Sequence, residues 1–356
     1  MFRDGSAVFW YTVFMRLVLD PAEEAAHGEW LRQTPGAYEW WYFDALSEGG
    51  EWVLSCIWFL GNPFSPYYRQ SALGKPANPF EQNALFFALY RFGKLHAYHF
   101  TRFPESEIAA EETLPLCLRF GPNRLAATDG EWRLEIADEN ANGRRLAASL
   151  AFTSPPLAAA AIQETALDSE HSWLPAAPFC RVSGLIELRE THNPGSDNIQ
   201  FTGTGYHDHN WGRLPFDAAI RDWYWARAAF SGERSVILYH VQPHRGPAVS
   251  HLLLFEQGHL ARYDAQAKVR LSRPVLNGFG TQYSSRLTAS GAGLEAAFHF
   301  GTRLDSAPFY VRALCHAEVC LEGQTERGQG IGEYLRPRPM SWPLVASAMK
   351  ARIVER

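Results

Sequence analysis

Short runs of β-branched, aromatic and aliphatic residues recur along almost the whole chain, each closed off by Gly, Pro, Asn or Asp. Glu51–Leu60, Ala84–Tyr90, His96–Arg102, Trp132–Ala137, Leu146–Thr153, Arg181–Leu188, Asp222–Phe230, Ser235–Gln242 and Ser250–Glu256 follow one another in this way. Tyr283–Ala289, Leu294–Phe300 and Ala313–Leu321 continue the series. Turn pairs stand at Gly49-Gly50, Asp129-Gly130, Asn142-Gly143, Ser231-Gly232 and Asn277-Gly278. Runs this short between turn signals are strands, and sustained helical periodicity is nearly absent. Only Pro343–Glu355, with alternating apolar and basic residues, predicts a short terminal helix. The pattern excludes a helical core and predicts an all-β protein of sandwiches or barrels.

At 356 residues the chain is long enough for two such units. The polar run His192–Asn198 places the boundary between residues 31–200 and 201–337, with an extension over 1–30 and a helical tail over 338–356. Asp168–Pro178, punctuated by Pro and Trp, reads as a loop. Ala7–Leu19 is apolar but carries Arg16. It is too short for a membrane helix and no small-residue cleavage site follows, so a strand or short helix packed on the body is expected, or a chain start at Met15.

A net charge of −5 without any Lys or Arg run argues against a nucleic-acid partner. Five cysteines, an odd number with no C-x-x-C pair, read as free thiols in a reducing, cytoplasmic compartment. The aromatic share is 14%, with 12 Trp, which suggests a large apolar cavity or sandwich core suited to a greasy ligand.

Three segments carry chemistry. In Gly36–Asp44 (GAYEWWYFD), strand alternation puts Glu39, Trp41 and Phe43 on one face and Tyr38, Trp40, Tyr42 and Asp44 on the other. Glu39 then sits among aromatics, either salt-bridged in a core or lining an aromatic pocket. In Gly203–Gly212 (GTGYHDHNWG), His207, His209 and Trp211 project to one side, Asp208 and Asn210 to the other. Asp222–Arg227 (DWYWAR) and Ile237–His240 (ILYH) follow. Three readings of this cluster stay open: a zinc site, a structural polar network, and an acid–base site at a domain junction. Zinc on His207 and His209 is not expected, because spacing fixes no third ligand. The third segment, Gly61–Tyr68 (GNPFSPYY), is a rigid aromatic loop, either the lid of an apolar pocket or an ordinary connection.

Tyr38–Asp44, Gly61–Tyr68, Gly205–Gly212, Asp222–Arg227, Leu238-Tyr239 and Gly330–Leu335 (GIGEYL), in this order, resemble the carotenoid 1,2-hydratase (hydroxyneurosporene synthase) family and its lipocalin-like superfamily. The likeness runs from about Gly36 to about Leu335. It implies two lipocalin-like β-barrel or β-sandwich domains packed side by side around a cleft. It also implies water added across an isoprenoid double bond without metal or organic cofactor. Such a reaction needs a carboxylic acid kept protonated by burial and aromatic faces that stabilise a cation. Asp208 and Asn210 match the polar pair of the family's G-Y-x-D-x-N element, and Trp223 and Trp225 fall in its aromatic strand. The family pattern has an acid after the Tyr of the next strand; His240 stands there in this chain.

The expectation is therefore a cofactor-independent enzyme acting on a hydrophobic isoprenoid or polyene by acid-initiated hydration, cyclisation or isomerisation. Asp208 is the expected acid, with His207 and His209 tuning or relaying its proton and Asp222 and Glu39 as competing acids. Tyr239 and His240 would hold water or a carbonyl oxygen. Trp41, Tyr67, Tyr206, Asn210, Trp211, Trp223 and Trp225 would line the substrate site, and a peripheral membrane contact would serve to collect substrate. A pericyclase that folds a polyene without acid, and a lipocalin-type carrier without turnover, are the alternatives. A pH–rate profile separates the first reading from both.

Overall fold

The structure is a computed structural model that describes residues 15–68, 78–158, 171–190, 193–213 and 220–356. Among these residues most of the chain is strand, paired mainly antiparallel and arranged in two large curled sheets and one two-stranded ribbon. The fold is thus all-β, as the sequence pattern predicts, and lipocalin-like, as the family resemblance implies.

The first sheet is centred on the aromatic strand Tyr38–Ser47, which pairs with Trp52–Leu60 on one side and Asn193–Gly212 on the other. Asn193–Gly212 forms a long hairpin with His171–Glu190. Gly203 and Gly205 allow the close approach to the aromatic strand. A Cβ on Gly203 would fall 2.0 Å from the Leu46 carbonyl oxygen, and one on Gly205 2.6 Å from that of Asp44. The second sheet is centred on Ile220–Phe230, flanked by Arg234–Pro243 and by Gln324–Leu335, the latter paired in turn with Tyr310–Leu321.

Two sequence expectations are corrected here. The boundary at residues 200/201 falls inside a single strand, and the chain leaves the first sheet only after Gly212. The polar residues from Asn193 to Asn198 prolong a hairpin instead of linking domains. The expected loop over Asp168–Pro178 is strand from His171 onward. Pro175 and Pro178 lack a backbone donor, and register shifts between Leu174 and Ala177 and between Ala177 and Cys180 absorb them as bulges. Residues 168–170, like residues 1–14, lie outside the described part of the chain. Met15–Leu17, the inner end of the apolar N-terminal run, adds a buried parallel strand beside His171–Trp173. All five cysteines are unpaired.

Alternation gives each sheet two buried faces. Trp41, Phe43, Leu54, Trp58 and Phe87 fill the hollow of the first sheet; Tyr224, Ala226, Leu238, Leu252 and Phe298 fill that of the second. The opposite faces, bearing Trp40, Tyr42, Trp223, Trp225 and Tyr239, meet each other and join the first core. The terminal helix Pro343–Lys350 then crosses from the second sheet back toward the first, where Val354–Glu355 pairs with the strand Lys94–Phe103. No helix among the described residues is long and apolar enough to cross a membrane.

Candidate functional site

A cavity of about 510 Å³ opens between the sheets. Its walls come from Trp40, Tyr42, Ile57, Phe59, Phe86 and Phe100 of the first sheet and Trp223, Tyr310, Arg312, Glu333 and Leu335 of the second. Phe64, from the Gly61–Tyr68 loop, closes one side, and Leu344, Val345, Ala348 and Met349 of the terminal helix cover another. The volume suits a small-molecule ligand, and the lining is aromatic with few polar groups.

The inner end of this cleft is where polar groups converge. Register pairs Asp208 with Tyr42, Tyr206 with Asp44 and Asn210 with Trp40 and Trp173, so all share the face turned to the second sheet. Asp208 is 5% exposed. Its Oδ2 accepts from the Tyr206 hydroxyl at 2.9 Å and the Trp173 indole at 3.0 Å; its Oδ1 accepts from the Asn210 amide at 2.7 Å. Burial pushes its pKa up to about 7, against the pull of these donors, and the charge of Glu333 adds to the rise. Asp208 does not line the cavity itself, whereas Tyr42, its neighbour across the strands, and Trp40 do.

Beside it runs a chain of neutral groups. The His171 ring lies 3.1 Å from the Tyr38 hydroxyl through Nδ1 and 2.9 Å from the Tyr239 hydroxyl through Nε2. Burial alone takes His171 down to about 3, so it is an uncharged imidazole at neutral pH, with one donor and one acceptor nitrogen. Two ion pairs complete the cleft. Arg227 of the second sheet bonds Asp44 of the first, which also accepts from the Tyr42 hydroxyl at 3.0 Å. Arg312 donates to Glu333 at 2.8 Å and lies over the rings of Tyr42, Phe86 and Tyr310.

The histidines adjacent to Asp208 in sequence serve a different place. His207 and His209 point into the hollow of the first sheet with Glu39, Trp41 and Trp211. His209 stacks on Trp41 at 4.5 Å, and its Nε2 lies 2.8 Å from Glu39 Oε1. His27 reaches the same oxygen at 2.7 Å. His207 donates from Nδ1 to the Tyr42 carbonyl, and its Nε2 meets Glu24 at 2.9 Å. Burial raises Glu39, but its bonds to His209 and His27 outweigh this and hold the carboxyl below its ordinary value. Glu39 is therefore ionised and fully buried. One ligand atom each from His27, Glu39 and His209 lies within 4.8 Å of the others, a set able to hold a divalent cation. The set leaves out His207, one of the two histidines weighed for zinc, and takes instead Glu39 and His27, the N-cap of the short helix Gly28–Gln33.

Neighbouring residues part in the second sheet as well. Tyr239, Trp223 and Trp225 face the cleft. Asp222 and His240 face away from it: Asp222 pairs with Arg221, and His240 bonds the Ser250 hydroxyl at 2.8 Å, its pKa lowered by burial. The expected pairing of Tyr239 with His240 on one water fails because adjacent strand residues point to opposite faces. Tyr67 stands outside the cavity, under Arg102 and Lys350. The sequence reading missed His171, Trp173, Arg227, Arg312 and Glu333. Lone charges inside apolar strands, as in Val311–Cys315 and Gly330–Leu335, were the available signal, since a buried charge needs a reason.

Two curled sheets with an aromatic cavity between their outer faces define a lipocalin-like protein of the two-sheet type. The crystal structure of an AttH-type protein from Nitrosomonas europaea shares this fold, with a TM-score of 0.60, 18% identity and coverage of 88% of this chain and 95% of that one. Residues 56–356 match the carotenoid hydratase CrtC family, and the chain belongs to it. A hydroxyneurosporene dehydrogenase from Chlorobaculum tepidum is 30% identical over 95% of this chain and 92% of its own length. An acyclic carotenoid 1,2-hydratase from Thiocapsa roseopersicina is 31% identical over 83% of this chain and 68% of its own.

Proposed function

We propose that this protein is a hydro-lyase that adds water to a carbon–carbon double bond of a long apolar isoprenoid or polyene, with Asp208 as the proton donor. Family membership and the aromatic cavity support the substrate class. The observation that carries the mechanism is Asp208 itself, buried at the inner end of the cleft with its pKa near 7. A carboxyl there keeps a substantial protonated fraction at neutral pH and is more acidic than any tyrosine around it.

In this reading Asp208 gives its proton to the terminal alkene carbon, leaving a tertiary cation on the neighbouring carbon. Trp40, Tyr42 and Trp223 present faces to that cation, each contact contributing up to about 2 kcal/mol in a dry site. Water held by the Tyr239 hydroxyl, which His171 orients, adds to the cation, and its proton returns to the Asp208 carboxylate, so the acid is regenerated. The Tyr42 ring has to swing aside for the chain end to reach Asp208. Glu333 stands on the wall itself, bonded to Arg312, and is the competing carboxyl.

The test is turnover of an acyclic carotenoid by wild type and Asp208→Asn, with product mass as readout. A gain of one water is expected, reduced at least roughly 100-fold in the variant with the fold intact. A folded Asp208→Asn protein with near wild-type turnover refutes the assignment, and Glu333→Gln measured beside it identifies the competitor. A product lighter by two hydrogens refutes hydration in favour of the dehydrogenation named for the Chlorobaculum relative.

A further inference from the structure

The mouth of the cavity is built unlike the rest of the surface. One lip is the ribbon Pro274–Leu276 with Gln282–Ser284, whose tip exposes Leu276 at 60% and Phe279 at 61%. The tip is fixed in place: the Asn277 side chain donates to the Ala307 carbonyl, the Thr281 hydroxyl to that of Pro308, and Arg303 to that of Leu276. The other lip is the start of the terminal helix, where Trp342 is 53% and Leu344 86% exposed. Phe279 and Leu344 both reach the same cavity, so the exposed apolar groups ring one opening. Large apolar side chains gathered at one place on a surface mark a binding site, whereas scattered ones need no explanation.

Charge identifies what binds. The chain carries −5 overall, yet residues 336–356 hold five basic side chains against the single acid Glu355. Arg336 and Arg338 precede the helix and are exposed, and exposed Arg273 and Arg303 flank the ribbon. The acids Asp305 and Glu333 line the cavity wall inside the opening. Exposed apolar tips within a basic ring match an anionic lipid surface, where buried apolar area and attraction to headgroups add together.

We infer that the cavity mouth docks on an anionic bilayer and takes its substrate directly from the lipid phase. The inference rests on the lipophilic substrate proposed above. The ribbon tip and Trp342–Leu344 enter the headgroup boundary, the arginines pair with lipid phosphates, and the chain of the substrate passes into the cavity without crossing water.

Cosedimentation with vesicles of phosphatidylcholine alone and of phosphatidylcholine mixed with phosphatidylglycerol tests this. Wild type should bind the mixed vesicles about tenfold or more tightly, with binding lost as salt rises. Leu276→Ser/Trp342→Ser and Arg336→Gln/Arg338→Gln, at positions that do not line the cavity, should each weaken that binding about fivefold or more. Turnover of substrate embedded in vesicles should fall with it, while turnover of substrate dispersed in detergent micelles stays at the wild-type level. Equal binding to both vesicles, no binding, or full binding by both variants overturns the docking surface. Turnover in micelles together with absent vesicle binding leaves the proposed reaction standing and removes only this inference; vesicle binding without turnover in either medium does the reverse.

Discussion

The strand Asn193–Gly212 carries two carboxylate environments on its two faces, a residue apart. On the cleft face Asp208 is held by three neutral donors and sits near the charge of Glu333, and its pKa climbs. On the other face Glu39, from the neighbouring strand, is held by two imidazoles, and its pKa falls. Both groups are buried and hydrogen-bonded, so neither burial nor bond count separates them. What separates them is whether the partners can carry positive charge: imidazoles share a proton with Glu39, whereas Tyr206, Trp173 and Asn210 offer Asp208 dipoles only. One face is built to keep a carboxylate, the other to keep an acid.

The largest break in this comparison is expected from Glu39→Gln. It leaves His209 and His27 without their shared anion in a buried site and should cost about 3–5 kcal/mol of stability in chemical denaturation. At temperatures where the variant is folded, turnover should stay within a few-fold of wild type, because Glu39 faces away from the cleft. Asp208→Asn should behave oppositely: turnover falls as described above, but the melting temperature at neutral pH does not fall and is expected to rise.

The pH dependence sharpens the contrast. Asp208 holds its proton more tightly folded than unfolded, so its contribution is fullest below the ordinary carboxylate range and is lost as pH rises through that range toward about 7. The slope is at most about 1.4 kcal/mol per pH unit, and the difference between wild type and Asp208→Asn across that window measures it. Glu39 has the reverse sign: its contribution is present above the ordinary range and is lost on acidification through its lowered folded pKa. Turnover should likewise drop as pH rises through about 7 if Asp208 donates the proton. Tyr239→Phe, which removes the hydroxyl facing His171, should lower turnover about tenfold and leave this pH profile in place. The smallest effects belong to Asp222→Asn and His240→Asp. Both side chains face away from the cleft, and turnover within about threefold of wild type is expected, a result that isolates the cleft face as the one that matters.

Much of this contrast was legible in the sequence. Alternation alone separates Asp208 and Asn210 from His207 and His209, and Tyr38 and Trp40 from Glu39 and Trp41. It also puts Trp223 and Trp225 on one face. Alternation says which side a residue takes, not what waits there. Glu24 and His27 come from a segment that read as an extension, and they decide the environment of both histidines. His171 and Trp173 lie in a stretch that two prolines disguised as a loop. Arg312 and Glu333 join the cleft through strands far along the chain. Such contacts are set by how the sheets fold over one another, and no local pattern encodes them.

The order in which the first sheet is assembled has a consequence for synthesis. The aromatic strand Tyr38–Ser47 finds one neighbour at once in Trp52–Leu60, but its other neighbour is Asn193–Gly212. The edge beside Lys94–Phe103 is completed only by Val354–Glu355, after the entire second sheet has been made. A chain emerging from the ribosome therefore carries Trp40, Trp41 and Tyr42 with one edge open until Asn193–Gly212 has been made. Such late, long-range closure makes folding slow and leaves an adhesive strand exposed meanwhile. Yield of soluble protein should accordingly respond to chaperone supply and growth temperature more than to native-state stability.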